Sequence, residues 1–461
     1  MTQSHRGSVA GLCALLAVVA LSATAAPSQR MIGISVLANR PLTGALLADL
    51  GTHGTVRDVL LEINAVTMRV AASELSVIRN LPYVAAAGPD AERQGSPVDT
   101  VSAGDFAGGL NTWDLDAVDV TDFGKGRTVA QDGSGVYVAV LDTGLLDSWR
   151  QYFPEQRIAT QYARCFQGGG NDEGGISEPP NCWEHDTNSH GTHVTSTVIG
   201  YSLRGTPVNG VAPRATVIPV KVLKNAGFGW SSQIAAGIVY VAELKAGPLA
   251  DSPVVINMSL GGPRLDPVEQ AAIDYANAQG VIVVAAAGNA GEAGMGFPGA
   301  YGPVISAAAS GWVGEWRPGS DGNTANWWFA DDVRDRTRAA DFYITDFSSR
   351  EKPGQDLDVA APGSWVVGPF QLQSGQTSYF FLGGTSMASP HVAGIAALMA
   401  QKNASLTSAD VEAILEATAV PLRAGCRTVA QPSGPAQEIC WGVDATGAGL
   451  ATAGAALAAT P

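Results

Sequence analysis

Gly384-Thr385-Ser386-Met387-Ala388-Ser389-Pro390-His391-Val392-Ala393-Gly394 is the stretch from which the fold of this chain is read. Gly383, Gly384 and Thr385 lead the backbone into Ser386. Behind it Val392, Ala393, Ile395, Ala396, Leu398 and Met399 recur at helical spacing. The pattern predicts a helix beginning at or just after Ser386, with Pro390 in its first turn, where a missing N–H costs nothing. Ser386 then stands on a tight turn at a helix N-terminus, where free N–H groups favour a developing negative charge. A serine so placed is by itself most often a cap. Partners elsewhere in the chain decide whether it is a nucleophile.

Working outward, Gly135 onward alternates strand and helix. Strands are expected at Val136 to Leu141, Thr216 to Leu223, Pro253 to Met258 and Val281 to Ala286. Helices are expected at His190 to Ile199, Ser232 to Leu244 and Pro267 to Ala278. Near-continuous apolar strands between helices imply an α/β fold with a doubly covered, mostly parallel sheet. Ligands of such sheets bind at the carboxyl ends of strands. Asp142 and Asn289 fall at those ends.

Three further polar groups stand out. Ala139-Val140-Leu141-Asp142-Thr143-Gly144 closes an apolar strand with a carboxylate, which is costly to bury unpaired. An Asx-turn would also explain it. The Asp-Thr-Gly of pepsin-like proteases is disfavoured, because that chemistry needs two carboxylates sharing a proton. Asn188-Ser189-His190-Gly191-Thr192-His193-Val194 opens a helix, and its histidine spacing is not that of a zinc H-E-x-x-H site. His53, His185 and His391 read as satisfied core or surface groups. Ala287-Gly288-Asn289-Ala290-Gly291 ends a strand with an amide donor, which is otherwise an ordinary turn asparagine.

Before this region, Met31 to about Glu92 reads as β-α-β-β-α-β: strands at Ile32 to Leu37, Val56 to Ile63, Ala65 to Val70 and Tyr83 to Ala86, helices at Leu42 to Leu50 and Ala72 to Leu81. That is the order of a small ferredoxin-like α+β unit. Arg93 to about Gly133 reads as a polar linker with a short extended piece around Trp113 to Val120, and 93–113 within it is suited to processing. The Ala/Gly-rich tail 446–461 is expected to fray. Two insertions interrupt the main pattern, Trp149 to Glu184 and Trp312 to Arg338. The tryptophans of the second (Trp312, Trp316, Trp327, Trp328) are expected to pack, although an exosite would use the same residues.

Residues 1–25 read as a secretory leader: Arg6, an apolar run from Val9 to Leu21, and Ala23-Thr24-Ala25 as a cleavage site. The run is shorter than the ~18–20 residues of a membrane span. A secreted, extracellular or periplasmic, monomeric protein without a membrane span is expected. The net charge of −15 argues against nucleic acid as a partner. Cys13 belongs to the leader, leaving four cysteines in an oxidising compartment. Of three connectivities, the neighbour pairs Cys165–Cys182 and Cys426–Cys440 are expected, each worth roughly 3 kcal/mol.

The string around Ser386, with Asp142, His190 and Asn289 in that chain order, resembles the subtilisin-like serine proteases over about Asp114 to Ala445. The resemblance implies a subtilisin-like catalytic domain (114–445) in which Asp142 orients His190, His190 is the base for Ser386, and Asn289 supplies the oxyanion donor. His193 is then a structural neighbour. It implies that Ser259, Leu260, Gly261 and Gly262 line the pocket for the residue before the cut, with Gly296 at its floor. Gly227, Phe228 and Gly229 would form the edge strand that pairs with substrate. No acid falls in that pocket, so an apolar side chain is expected there. Glu62-Ile63-Asn64-Ala65-Val66, Glu74-Leu75 and Leu81-Pro82-Tyr83-Val84 resemble the family's inhibitory propeptide, here 26–92. Phe228 departs from the small residue common at its position, and the Asn289–Phe297 loop is short. The chemistry implied needs no cofactor and admits structural calcium. Asp172-Glu173 and Asp331-Asp332 show no ligand spacing and read as solvated. Protein or peptide substrates follow. A non-catalytic scaffold on the same fold, or an esterase, are the competing readings.

Overall fold

The computed structural model describes residues 30–95, 99–102, 112–122, 126–167, 173–318, 325–327 and 333–461. The expected leader with Cys13, and Asp172, Trp328, Asp331 and Asp332, lie outside the described residues.

An eight-stranded sheet organises the larger part. Its order is Arg164–Cys165, Thr216–Lys221, Tyr137–Asp142, Val254–Met258, Val281–Ala286, Ile305–Trp312 and Phe342–Ile344, with Val359–Pro362 also pairing Ile305–Trp312. Every pairing is parallel except that of Phe342–Ile344. Period-2 alternation explains the two covered faces. Val138, Val140, Val255, Ile282 and Val284 enter one core with the helices His190–Ile199 and Thr385–Lys402. Ala139, Leu141, Ile256, Val283 and Ala285 enter a second core, under the helices Ser231–Ala246 and Pro267–Ala278. Tyr137–Asp142 lies between Thr216–Lys221 and Val254–Met258, so the chain leaves it in opposite directions. That is a topological switch point, and the crevice opens at its carboxyl end.

The N-terminal part is a four-stranded antiparallel sheet in the order Gly54–Leu60, Ala65–Ala71, Met31–Ala38, Val84–Pro89. With the helices Gly44–Gly51 and Glu74–Arg79 it encloses its own core of Ile34, Val36, Leu50, Val66, Met68, Val70 and Ile78. Ile63 and Ala65 instead join the core beneath Pro267–Ala278, so this unit sits on the larger one. The linker is more ordered than its composition suggests: Glu92–Gln94 pairs with Phe228–Trp230, and Asp99–Ser102 pairs with Tyr379–Gly383.

Two expectations fail. Trp113 to Val120 is not extended but contains the helix Trp113–Ala117. The i, i+2 spacing of Trp113, Leu115 and Ala117 imitates a strand. The polar residues between them are buried too, Asp114 against His391 and Asp116 against Thr121. The tail does not fray. Ala453–Ala459 is a helix that buries Ala453, Ala456 and Leu457, and Lys402 Nζ donates to the carbonyls of Leu457 and Thr460 at its end. Small alanines permit the close approach that their low hydrophobicity concealed. Trp312 and Trp316 are buried, with Trp316 edge-on to Trp365 and Phe381.

Candidate active site

Asp142 ends its strand fully buried. His190 Nδ1 donates to Asp142 Oδ1 at 2.8 Å and Oδ2 at 2.9 Å, and Thr143 N donates to Oδ1 at 2.7 Å. His190 begins its helix because of an Asx turn. Asp186 accepts from the backbone N–H of Asn188 and Ser189, and Ser189 takes a left-handed conformation at φ 79°. Gly191 follows because the helix crosses the strand end closely; a Cβ there would lie 2.4 Å from the Gly144 carbonyl oxygen.

The helix carrying Ser386 starts one residue earlier than expected, Thr385–Lys402, which puts Pro390 inside it rather than in its first turn. Proline cannot donate to the carbonyl four residues back. That carbonyl belongs to Ser386, and Ser259 Oγ donates to it at 2.7 Å instead. The Ser386 hydroxyl donates to the Ser259 carbonyl at 3.2 Å, while His190 Nε2 has no partner. The same Ser259 carbonyl and the His190 ring both border Gly95, whose added Cβ would lie 2.8 Å from the oxygen and 3.3 Å from Cε1. Hydroxyl and imidazole thus both lie near the Ser259 carbonyl.

Asn289 is held by its oxygen. Oδ1 accepts from Thr385 N at 2.8 Å and Thr385 Oγ1 at 2.9 Å. The amide is thereby oriented, and Nδ2 lies 3.5 Å from where a Cβ of Gly384 would be, beside Ser386. A cavity of about 480 Å³ opens next to both, lined among others by Leu260, Gly261, Gly262, Met295, Gly296 and Ala286, with no acid in its wall. Gly227, Phe228 and Gly229 stand apart from this cavity on the facing edge. Between the two walls runs the chain's own segment. Gln94 exchanges both backbone hydrogen bonds with Gly261 at 2.9 and 3.0 Å, and Gly95 N donates to the Gly227 carbonyl at 3.0 Å.

Sequence reasoning missed the support around His190. Thr143 Oγ1 donates to Asp186 at 2.8 Å and accepts from Gly191 N at 3.0 Å, and the buried Lys221 Nζ donates to the Thr143 carbonyl and to Asn225. Burial pushes Asp186 up and Lys221 down, and their mutual attraction opposes both shifts. The signal was legible: an Asp placed before Asn188 and Ser189 is an Asx-turn former. His193 donates from Nε2 to the Val366 carbonyl at 3.1 Å. Burial, aided by nearby His190, pushes it down to about 3, so it stays neutral.

The family described as the Subtilase family, Peptidase S8, matches residues 133–442. The chain belongs to the subtilase family. It is 32% identical to thermitase of Thermoactinomyces vulgaris over 288 residues, 62% of this chain and 82% of thermitase. It is 34% identical to subtilisin DY of Bacillus licheniformis over 294 residues, 63% of this chain and 85% of that one. Fervidolysin from Fervidobacterium pennivorans, titled a keratinolytic enzyme related to subtilisin, shares the fold at a TM-score of 0.64 and 22% identity, over 94% of this chain and 62% of its own. This subtilase is therefore a serine endopeptidase with a mostly parallel central sheet. Its disulfides join Cys165 to Cys182 and Cys426 to Cys440. Among the described residues no helix is long and apolar enough to cross a membrane. Catalysis in the family needs no cofactor. Asp356, Asp358 and Glu412 bring carboxylate oxygens within 4.8 Å of one another, and Asp358 Oδ1 is buried with no hydrogen-bond partner among the described residues.

Proposed function

We propose that the subtilase hydrolyses peptide bonds through Asp142, His190 and Ser386, with Asn289 stabilising the oxyanion. Asp142 accepts a hydrogen bond from the Nδ1–H of His190 and so fixes the tautomer that leaves Nε2 as base. The Ser386 hydroxyl turns from the Ser259 carbonyl to Nε2 and gives up its proton as Oγ attacks the scissile carbonyl. Asn289 Nδ2 and the Ser386 N–H receive the negative charge on oxygen. His190 then protonates the leaving amine, and water retraces the steps on the acyl-enzyme. The observation that carries this reading is the buried two-oxygen contact of Asp142 with His190 beside the carbonyl that holds the Ser386 hydroxyl. A fluorophosphonate probe tests it: labelling at Ser386, lost in His190→Ala, is expected. Fully processed wild-type protein that stays unlabelled would overturn it and leave a non-catalytic scaffold.

The same proposal makes residues 26–92 an inhibitory propeptide on a catalytic domain, removed by processing in 93–113. Its support is Glu92–Gln94 lying as an added strand between the two cleft walls, as a substrate would. The leader-like N-terminus and the two disulfides favour secretion. The acid-free cavity beside Ser386 favours an apolar residue before the cut. Asp356, Asp358 and Glu412 offer the oxygen donors that calcium takes, and the orphaned Asp358 Oδ1 fits such an ion. Its role would be structural.

A further inference from the structure

Among the described residues Arg93 is the largest charged side chain buried without exposure, and it lies in the cleft rather than in a core. Its Nε sits 3.2 Å from Glu269 Oε1 and 2.9 Å from Oε2, and its Nη2 donates to Oε2 as well. Glu269 stands in the first turn of Pro267–Ala278 and is itself 1% exposed. The stem of Arg93 runs along Gly262, where a Cβ would lie 3.4 Å from Cδ and 3.0 Å from Nη1. We propose, resting on the peptidase reading above, that Glu269 forms an arginine-binding subsite of the substrate cleft. Arg93 of the N-terminal segment fills it in this structure, and peptides with arginine at the fourth position before the cleaved bond are the preferred substrates.

The register follows from the strand. Side chains alternate, so Arg93 and Gly95 face one way and Gln94 the other. Gly95 borders His190 and the Ser259 carbonyl rather than the cavity beside Ser386. In a bound peptide the next residue therefore enters that cavity and presents the carbonyl to be attacked. Arginine in the place of Arg93 is fourth from the cut. The chemistry follows from charge. A carboxylate this buried is costly without a partner, and Asp266 nearby adds to the cost by repulsion. Among the described residues Arg93 is the cation that Glu269 meets, and it departs with the N-terminal segment. A planar guanidinium donating two N–H bonds fits it better than the point charge of lysine.

The test uses mature enzyme, its concentration set by active-site titration, and two fluorogenic peptides identical except for arginine or leucine at the fourth position before the cut. Wild-type enzyme should favour arginine by at least about tenfold in kcat/KM. Glu269→Gln should bring that ratio close to one. Should Glu269→Gln fail to fold around an unpaired Arg93, the precursor carrying both Arg93→Leu and Glu269→Leu restores a matched pair. Its mature form should favour leucine. Equal cleavage of both peptides by wild type, or an arginine preference that survives in either variant, overturns the subsite and leaves the peptidase reading intact. Wild type that is titrated yet cleaves neither peptide sinks the peptidase reading instead.

Discussion

Asp142 and Glu269 are two carboxylates of one cleft, equally shut off from water, with partners of different permanence. Asp142 is paired with His190 inside the same folded unit, and its remaining capacity is met by Thr143 N. Glu269 is paired with Arg93, 176 residues away, on a segment proposed to leave. On that proposal the first pair would stay satisfied once the segment has left, and it orients the imidazole. The second is satisfied only while something cationic occupies the cleft. Burial of a charge is therefore a positioning device where the partner is built in, and a recognition device where the partner is exchangeable.

The largest effect belongs to the built-in side. Ser386→Ala should lower kcat by about 10⁶, as removal of a triad nucleophile does, with no loss of unfolding midpoint; retained turnover on peptide substrates would break the assignment. Asn289→Ala should cost ~10²–10³ in kcat, the loss known for the equivalent donor in subtilisin, with KM nearly unchanged. A drop confined to KM would make Asn289 a binding residue only.

The exchangeable side is probed in the precursor, with Ser386→Ala present to prevent autolysis. Arg93→Ala leaves Glu269 buried and alone and should cost about 3–5 kcal/mol in urea unfolding. Adding Glu269→Gln should recover most of it. An Arg93→Ala loss under ~1 kcal/mol would mean that water already serves this site.

A third buried carboxylate sharpens the contrast, because among the described residues its partners are hydroxyls. Glu315 accepts from Tyr343 and from Ser364 Oγ, and burial pushes it up to about 8. Its folded pKa thus lies above the ~4.3 of an unfolded chain. Between these values the folded state holds a proton that the unfolded state has lost, so stability falls as pH rises from about 4.3 to about 8. Glu315→Gln cannot titrate and should flatten this slope, seen in thermal midpoints of the Ser386→Ala protein at pH 5 and pH 8. An unchanged slope would place the proton elsewhere.

What could be read early was periodic or local. The strands around Val138 and Val283, the helices at His190 and Pro267, and the order Asp142, His190, Asn289, Ser386 all rest on neighbours within a few residues. The helix Trp113–Ala117 escaped because its polar positions are buried by His391 and Thr121. The helix Ala453–Ala459 escaped because alanine signals packing only where a partner surface is known. Pro390 misled because the carbonyl it leaves open is satisfied by Ser259, 127 residues away.

By itself, then, the sequence determined the sheet class and the family and put forward Asp142, His190, Asn289 and Ser386 as the groups proposed to react, since hydrophobic period and short motifs act through adjacent residues. Tertiary structure alone decided which amide oxygen Thr385 holds, which carbonyl takes the Ser386 hydroxyl, and that Arg93 meets Glu269. Those are contacts between distant segments, and their energies depend on burial that no local pattern encodes.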